Sequence, residues 1–437
     1  MPKPAKLAKS AHAGGTHDDY ASSTVPSGSR RGLISMSAVM LGFTFFAASM
    51  WTGGKLGEGF SLWPDLLIVI LAGNLILGLY GSLLGYAAAK TNISTHLLAQ
   101  YSFGKTGSKL PSFMLAITQI GWFGVGLAML AHPINTFLGI PFFWIIIIGG
   151  VAMTYTVAVG FKAIEWLSII AVPAILILGF TSVGKAIVDT DGGIRTLLDS
   201  VPSSPLTFSV GVALAVGSFI SGATLTPDFV RFAKSRKIGV WATIIGFTFG
   251  NSLMFFFGAI GAIATSHADI AEVLAIQGLL GGGMILLILN IWTTNDNALY
   301  ASSLGLTNLT GLKRVHLVWI AGLVGTALAD LLYNNFVGWL TFLSIALPPI
   351  GGVIIGDFYL RHKTHYPDFA LHQFKSVNWA AMVAWALAIL ASLMSPAAGP
   401  LSIAPLNGIV CAALVYVLAS KLLYPSASLD AIAPEPD

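Results

Sequence analysis

The chain has 437 residues, of which 55% are hydrophobic and only 9% are charged. A water-soluble domain usually carries about 25% charged residues, so this composition excludes a soluble globular protein and predicts an integral membrane protein. The single cysteine, Cys411, excludes an intrachain disulfide and a cysteine metal cage. The net charge of +4 comes from basic residues between apolar segments, which we interpret as topology signals and not as a nucleic-acid surface.

Polar segments flank the apolar part of the chain. Residues 1–30 are rich in Ala, Ser, Thr, Lys and His and contain no apolar run typical of a signal peptide. We predict a disordered cytoplasmic tail over 1–30 and a short cytoplasmic tail over 424–437. Between them no polar break marks a domain boundary, so the sequence predicts one membrane unit.

Twelve apolar runs are long enough to cross a bilayer. A hydrocarbon core of about 30 Å requires roughly 17 to 25 apolar residues in a helix. The runs cover 32–54, 64–88, 110–131, 141–160, 164–184, 206–227, 238–264, 275–302, 315–332, 335–357, 376–395 and 401–422.

The basic residues predict the orientation of these spans. With the N-terminus in the cytoplasm, 19 of the 22 Lys and Arg residues fall on the cytoplasmic side. The three that fall on the other side are Lys55, Lys185 and Arg195. This asymmetry follows the positive-inside rule, so we expect both termini in the cytoplasm.

Two segments that lie 169 residues apart resemble each other. Ser49–Leu56 and Ser218–Leu225 both read Ser, two large residues, a hydroxyl residue, Gly, a tiny residue, any residue and Leu. Five spans separate them, so the second copy crosses the membrane in the opposite direction. The pattern predicts an inverted repeat.

The glycines in these two segments have two interpretations. A helix broken at Gly beside small hydroxyl residues exposes backbone, which is tolerated at membrane depth only where it lines a cavity. Such paired breaks are typical of the binding site of a secondary transporter. Alternatively, both segments are small-residue packing faces.

Polar residues inside the spans suggest a neutral ligand. Asp296 is the main charged exception, so a permanently charged substrate would lack a counter-ion. Gln119 and Trp122 are three residues apart and share a helical face. An amide and an indole on one face favour a planar heterocycle, held by stacking and by hydrogen bonds along its edge.

The eighth run contains an oxygen-rich face. Asn290, Thr293 and Thr294 project to one side of a helix, and with carbonyls of a broken first span they would suit a hard monovalent cation. Ser and Thr in membrane helices also bond to their own backbone, which is the alternative interpretation. Asp296 is either a structural pairing group or a proton-coupling site.

Two other groups of polar residues are less specific. Asp228 and Arg231 at i, i+3 predict a local ion pair, with a gate latch as the alternative. The histidines have no metal-ligand spacing, so we predict no metal centre of the His or Cys type.

Several motifs in order strongly resemble the nucleobase:cation symporter-1 family, and within it the bacterial cytosine permeases. The resemblance runs from about Arg31 to the twelfth span. It is carried by Phe45–Gly54, Gln119–Gly126, Gly217–Ser221, Asn290–Tyr300 and Tyr333–Ser344.

This resemblance implies an all-α membrane protein with a LeuT-type fold of twelve transmembrane helices. Residues 31–185 and 206–360 would form the two inverted five-helix repeats, and 376–423 two further helices. It also implies sodium-driven uptake of cytosine across the bacterial inner membrane, with no other cofactor and no obligate protein partner.

The resemblance also implies site residues. Trp122 and Phe219 would sandwich the base, and its edge would bond to Gln119, Ser221, Asn290 and Asn295. Sodium would be held by the carbonyls of Phe46, Ser49 and Asn290 and by the hydroxyls of Thr293 and Thr294.

Other functions are less consistent with the residues. The spans lack a Ser, His and Asp constellation for an enzyme, and no pore ring indicates a channel. Among transporters, the alternative is a proton-coupled permease for another nucleobase or for an allantoin- or hydantoin-like ring.

Overall fold

The computed structural model describes residues 20, 23–159, 161–399 and 401–424; side chains are not described over 161–171 and 397–398. Over these ranges the regular structure is helical, apart from one isolated bridge between Arg31 and Ala233. A helix satisfies its backbone hydrogen bonds internally, which a chain in hydrocarbon requires.

The first half of the chain forms eight helices. They are α1 (Leu33–Thr44), α2 (Ala47–Gly59), α3 (Leu67–Thr91), α4 (Thr95–Phe103), α5 (Lys109–Leu138), α6 (Phe142–Val159), α7 (Phe161–Asp189) and α8 (Ile194–Leu198). Their order agrees with the first five predicted spans, and α4 and α8 are short connecting helices.

The second half forms eleven helices. They are α9 (Phe208–Thr224), α10 (Thr226–Val230), α11 (Arg236–Ile244), α12 (Ser252–Thr265), α13 (Ile270–Ile276), α14 (Leu280–Thr310), α15 (Arg314–Asn334), α16 (Phe336–Ala346), α17 (Pro348–Ile355), α18 (Trp379–Leu393) and α19 (Ala404–Leu423). A π-helical segment, Ile245–Asn251, joins α11 to α12, and another, Gly356–Arg361, extends α17.

Eight helical segments in the described chain are long and apolar enough to cross a membrane. The pair α1 and α2, bent by 57°, makes a ninth, and α9 and α18 are shorter apolar helices. The helix α14 is long enough but is absent from this apolar set, because polar residues occupy its middle. Each predicted apolar run overlaps at least one helix; the count of twelve membrane crossings and the repeat stay predictions.

The first span breaks at a different place from the one that the sequence predicted. Phe45 and Phe46 leave the helical conformation, and Phe46 is extended at φ −128° and ψ 135°. The segment Ser49–Leu56, where a break was expected, lies inside α2. In the second copy α9 is helical to Thr224, and the interruption falls at Leu225. The prediction of matched breaks at the glycines is therefore wrong.

Close packing is the physical reason for the glycines in α2. A Cβ atom on Gly53 would lie 2.1 Å from the carbonyl oxygen of Phe255, and one on Gly54 would lie 2.4 Å from that of Ala268. In return, a Cβ on Gly258 of α12 would lie 1.8 Å from the carbonyl oxygen of Met50. Gly53 and Gly258 bring α2 and α12 into backbone contact, and Gly54 brings α2 against the segment that follows α12, as the packing interpretation expects.

Part of the predicted N-terminal tail packs on the bundle. Val25 is only 1% exposed, and its N–H donates to the carbonyl of Asn92 at 2.9 Å. The backbone of Arg31 pairs with Phe232 and Lys234 beyond α10. The disordered tail predicted for 1–30 therefore does not extend over 23–30, while 1–19, 21, 22 and 425–437 lie outside the described residues.

Candidate functional site

A buried cavity lies where α1 and α2, α5, α9 and α14 meet. Its volume is about 20 Å³, room for roughly one water molecule and far below the roughly 300–1,000 Å³ of open small-molecule sites. The lining side chains must therefore move apart before a ring-sized ligand can enter. None of its described lining residues is charged. They are Phe43, Phe46, Gln119, Trp122, Ser218, Phe219, Ser221, Gly222, Thr294, Asn295 and Ala298.

Five of the six predicted substrate residues line this cavity, from three helices distant in sequence. Gln119 and Trp122 come from α5, Phe219 and Ser221 from α9, and Asn295 from α14. Each is at most 6% exposed. The polar residues at mid-helix therefore converge on one buried space, where hydrogen bonds are not weakened by competing water.

A hydrogen bond fixes the indole of Trp122. Its Nε1–H donates to the hydroxyl of Ser221 at 2.9 Å, which joins α5 to α9 across the cavity. Trp122 also contacts Phe46 edge to face, at 5.8 Å between ring centroids. Ser221 keeps its own hydroxyl hydrogen, which it can donate to a ligand.

Asn295 presents an acceptor atom. Its Nδ2 donates to the carbonyl of Phe123 at 3.1 Å, while its Oδ1 has no hydrogen-bond partner among the described residues. A Cβ on Gly126 would lie 2.2 Å from this Oδ1, so only glycine leaves room for the amide. An unpaired buried acceptor is costly and indicates that a ligand or water donates to it.

The aromatic rings around the cavity pack mainly on one another. Phe219 contacts Phe43 edge to face at 5.1 Å and Phe247 at 5.5 Å. This arrangement leaves the rings of Phe219 and Trp122 in the cavity wall and restricts their rotation. Rings held in this way suit a flat ligand because they lose little conformational freedom on binding.

The sixth predicted substrate residue, Asn290, does not line the cavity. Its Oδ1 accepts from the N–H of Ala47 at 2.9 Å, and its Nδ2 donates to the carbonyl of Phe45. The side chain thus satisfies the backbone groups left unpaired by the break between α1 and α2. In the described conformation its amide holds the first span and does not line the cavity.

Three of the predicted ion-binding oxygens lie together. The hydroxyls of Thr293 and Thr294 donate to the carbonyl of Asn290 at 2.8 and 2.7 Å. Through the Asn290 amide, this cluster adjoins Phe46, whose carbonyl accepts from the N–H of Ser49 at 3.0 Å. A cation bound there would require both hydroxyls to turn their hydrogens away. The arrangement fits the predicted sodium residues, and their role stays a prediction.

Asp296 points away from the cavity, toward α6. The hydroxyl of Thr156 lies 2.9 Å from each of its carboxyl oxygens and also accepts from Trp292 Nε1 at 3.2 Å. Asp296 is 1% exposed, and no basic side chain is paired with it in the described chain.

The predicted ion pair of Asp228 and Arg231 is not formed between their side chains. Arg231 Nε donates to the backbone carbonyl of Asp228 at 3.0 Å, and its Nη1 donates to the carbonyl of Tyr20. The Asp228 carboxylate instead accepts from the N–H of Thr95 at 2.8 Å. No group of three His, Cys, Asp or Glu side chains in the described residues could hold a metal ion.

Four lining residues were not predicted from the sequence, namely Phe43, Ser218, Gly222 and Ala298. Ala298 follows Thr294 by four positions and so shares its helical face, which was a usable signal. Phe43 gave no such signal, because its position beside the cavity depends on the bend after Thr44.

Comparisons with known proteins identify the family. A family model described as permease for cytosine/purines, uracil, thiamine and allantoin matches residues 24–418. The cytosine permease of Escherichia coli (strain K12) is 50% identical over 406 residues, which cover 93% of this chain and 95% of that protein. The hydantoin permease of Microbacterium maritypicum is 24% identical, over 89% of this chain and 86% of that one.

Solved structures show the same fold. The transporter Mhp1, in a closed conformation with bromovinylhydantoin bound, superposes with a TM-score of 0.80 at 20% identity, covering 92% of this chain and 95% of that one. Its inward-facing conformation gives a TM-score of 0.81. On the family model and on the identity to the curated relative, the chain belongs to the family of membrane permeases for cytosine/purines, uracil, thiamine and allantoin.

Proposed function

We propose that this protein is a secondary active transporter that imports cytosine by sodium symport across the bacterial inner membrane. The observation that carries the proposal is the buried, uncharged cavity, walled by Trp122 and Phe219 and edged by Gln119, Ser221 and Asn295. The Escherichia coli relative that is 50% identical is named a cytosine permease.

The polar atoms of the cavity complement the edge of a cytosine ring. Asn295 Oδ1 accepts from the exocyclic amino group, and the hydroxyl of Ser221, which already accepts from Trp122, donates to a ring acceptor. Gln119 supplies both a donor and an acceptor. A base that lacks the amino group would leave Asn295 Oδ1 unpaired, which is the physical basis of selectivity.

Sodium couples to transport through the first span. The ion binds the carbonyls of Phe46, Ser49 and Asn290 and the hydroxyls of Thr293 and Thr294. Asn290 already joins α14 to both sides of the break. A cation there therefore ties the mobile first span to α14 and favours one conformation by its differential affinity.

The bundle follows a twelve-span topology. Spans one to five and six to ten form the inverted repeats, and α18 and α19 complete the set, with both termini in the cytoplasm. Because the cavity residues are buried, substrate enters and leaves only if the two ends open in turn.

The test is uptake of labelled cytosine into proteoliposomes that contain the full chain, with either sodium or potassium outside. We expect sodium-dependent uptake that unlabelled cytosine inhibits and uracil does not. Uptake that is equal in sodium and potassium would contradict the ion assignment, and inhibition by uracil alone would contradict the substrate assignment.

A second candidate, proton-coupled transport, is favoured by one observation. Asp296 is a buried carboxyl group whose described partner is the Thr156 hydroxyl. The variant Asp296→Asn keeps the shape and the hydrogen bond but cannot take up a proton. Under sodium coupling it retains sodium-driven uptake. If a pH gradient drives uptake by the natural sequence but not by Asp296→Asn, the proton-coupled alternative is favoured.

A further inference from the structure

A second polar cluster lies away from the cavity, where α4 and α10 meet α5 and α14. His96 on α4 is 2% exposed, and Asp228 on α10 is 1% exposed. The Nε2 of His96 lies 3.8 Å from Oδ2 of Asp228. Neither atom has a hydrogen-bond partner in the part of the chain that the structure describes. Two complementary buried polar atoms therefore face each other just beyond hydrogen-bond distance.

The surrounding hydrogen bonds fix both side chains. Asp228 Oδ1 accepts from the N–H of Thr95, and His96 Nδ1 lies 3.1 Å from the hydroxyl of Ser112. A Cβ on Gly305 would lie 3.0 Å from the His96 ring, so α14 packs against the imidazole. Closing the gap would therefore require one of these side chains to give up a contact, or α4 or α10 to move.

Hydrogen-bond chemistry assigns the tautomer. If His96 carried its proton on Nδ1, the lone pair of Nε2 would face the Asp228 carboxylate. With the proton on Nε2, Ser112 donates to Nδ1, and N–H faces the carboxylate. Ser112 also accepts from Asn308 Nδ2 at 2.9 Å, and Asn308 Oδ1 accepts from Gln100 at 3.1 Å. The polar chain thus joins the end of the sixth span to α5 and α14.

We propose that His96 is a proton-binding site. Binding of a proton to His96 favours opening of the end of the bundle where α4 and α10 meet α5 and α14. The added proton lies on Nδ1, so Ser112 can no longer donate there, and the charged ring still has no acceptor within hydrogen-bond distance of Nε2. Once the end opens, water supplies that acceptor. A proton therefore binds the open form more tightly than the closed one and shifts the equilibrium toward opening.

Electrostatics gives the same direction. Burial lowers the pKa of His96 below its usual value; the nearby Asp228 raises it in part, and Arg231 lowers it. Exposure to water returns the pKa toward about 6.5. The closed form is thus fully favoured above about pH 6.5 and loses that advantage as the pH falls toward the lower pKa of the buried imidazole.

Other charged groups on the helices around α4 are engaged elsewhere or distant. Lys109 is exposed at the start of α5, Asp296 is bonded to Thr156, and Asp357 and Arg361 are bonded to Tyr416. The helices α17 and α18 carry no charged residue. Asp228 and Arg231 are therefore the charges that act on the imidazole.

Hydrogen–deuterium exchange of the full chain tests the proposal without substrate or sodium, so its result is independent of the proposed transport activity. Peptides covering 92–103 and 224–231 are followed from pH 7.5 to 5.5 and corrected for intrinsic exchange rates. We expect their exchange to rise by up to about tenfold between pH 6.5 and 5.5 in the natural sequence. His96→Gln should remove this rise, and the exposed control His365→Gln should retain it.

Two results would overturn the proposal. One is an equal rise in the natural sequence and in His96→Gln; the other is no rise in the natural sequence. If His96→Gln does not fold, Asp228→Asn tests the proposal instead. This variant should fold, because its amide oxygen can still accept from the N–H of Thr95. Loss of the carboxylate charge removes the attraction that raises the pKa of His96. We therefore expect the rise to begin at the same pH, near about 6.5, and to continue to a lower pH than in the natural sequence; a rise that ends at the same pH as in the natural sequence would contradict the assignment.

Discussion

At the scale of single residues, the same polar side chain types perform different tasks. Asn295 and Asn290 are both buried on α14 and five positions apart. The Oδ1 of Asn295 has no hydrogen-bond partner among the described residues, whereas Asn290 uses both amide atoms to bond the backbone of the first span. Residue type and burial therefore do not distinguish an amide with an unpaired acceptor from an amide that is fully bonded; the hydrogen-bond partners do.

The hydrogen bond between Trp122 and Ser221 can be tested by removing its donor and its acceptor in separate variants. Trp122→Phe keeps an aromatic ring but loses the N–H donor. We expect the KM for cytosine uptake to rise about fivefold, since a net hydrogen bond contributes about 1 kcal/mol.

Ser221→Ala should raise the KM as well, and the double variant should be less impaired than the product of the two single effects predicts. Independent effects of the two substitutions would argue against their coupling.

Asn290 makes a prediction about stability. Asn290→Leu leaves the carbonyl of Phe45 and the N–H of Ala47 without their side-chain partner. Each unsatisfied buried group costs about 1–3 kcal/mol, so we expect a lower Tm with or without substrate. A thermal unfolding measurement on purified protein checks this, and an unchanged Tm would contradict the assigned role.

At the scale of helices, α2 and α14 meet the site in different ways. The helix α2 packs on α12 through glycines, and its N-terminal residue Ala47 donates to the side chain of Asn290 on α14. The helix α14 contributes side chains along one face, at positions 290, 294, 295 and 298. The helix α2 therefore contributes close packing, because its glycines have no side chain, whereas α14 contributes polar side chains.

The packing of α2 on α12 predicts that glycine substitutions lower stability in this interface and not at an open position. Gly258→Ala places a Cβ 1.8 Å from the carbonyl oxygen of Met50, so the helices must separate. Such overpacking costs about 1–3 kcal/mol. The matched control Gly282→Ala adds a methyl group to α14 where nothing lies within 4 Å. We expect a lower Tm for the first variant and an unchanged or slightly higher Tm for the second.

The proposed sodium ligands on α14 predict a change in sodium dependence. Thr294→Ala removes one proposed ligand oxygen, so we expect the sodium concentration for half-maximal uptake to rise about tenfold or more. The control Thr307→Ala removes a hydroxyl that donates to the Ser303 carbonyl on the same helix, and it should leave sodium dependence unchanged. Normal uptake at low sodium by Thr294→Ala would contradict the ion assignment.

At the scale of the whole molecule, charge and hydropathy indicate a membrane environment, whereas the contacts between helices define the fold and the candidate site. The chain belongs to a family of membrane permeases and shares the fold of Mhp1. Its orientation in the membrane is a prediction from the distribution of Lys and Arg.

That orientation can be tested with single cysteines in a Cys411→Ser background. We expect a membrane-impermeant maleimide to label Ser203→Cys in intact cells and to label His365→Cys only after permeabilisation. Both positions are exposed, so access to the reagent depends on the side of the membrane. The reverse labelling pattern would invert the topology.

The resemblance to a known family, and not a pattern within one helix, implied Phe219, Ser221 and Asn295 as site residues. The sequence by itself predicted the helical membrane character, the positions of the apolar spans and the shared helical face of Gln119 and Trp122. These properties depend on residue type and on periodicity along one chain.

The tertiary structure decided where the first span breaks, that Gly53 and Gly54 serve packing, and that Asn290 bonds the broken span. It also brought His96 to Asp228, 132 positions away. Such contacts depend on how separate helices pack, and periodicity within one helix carries no information about its partner.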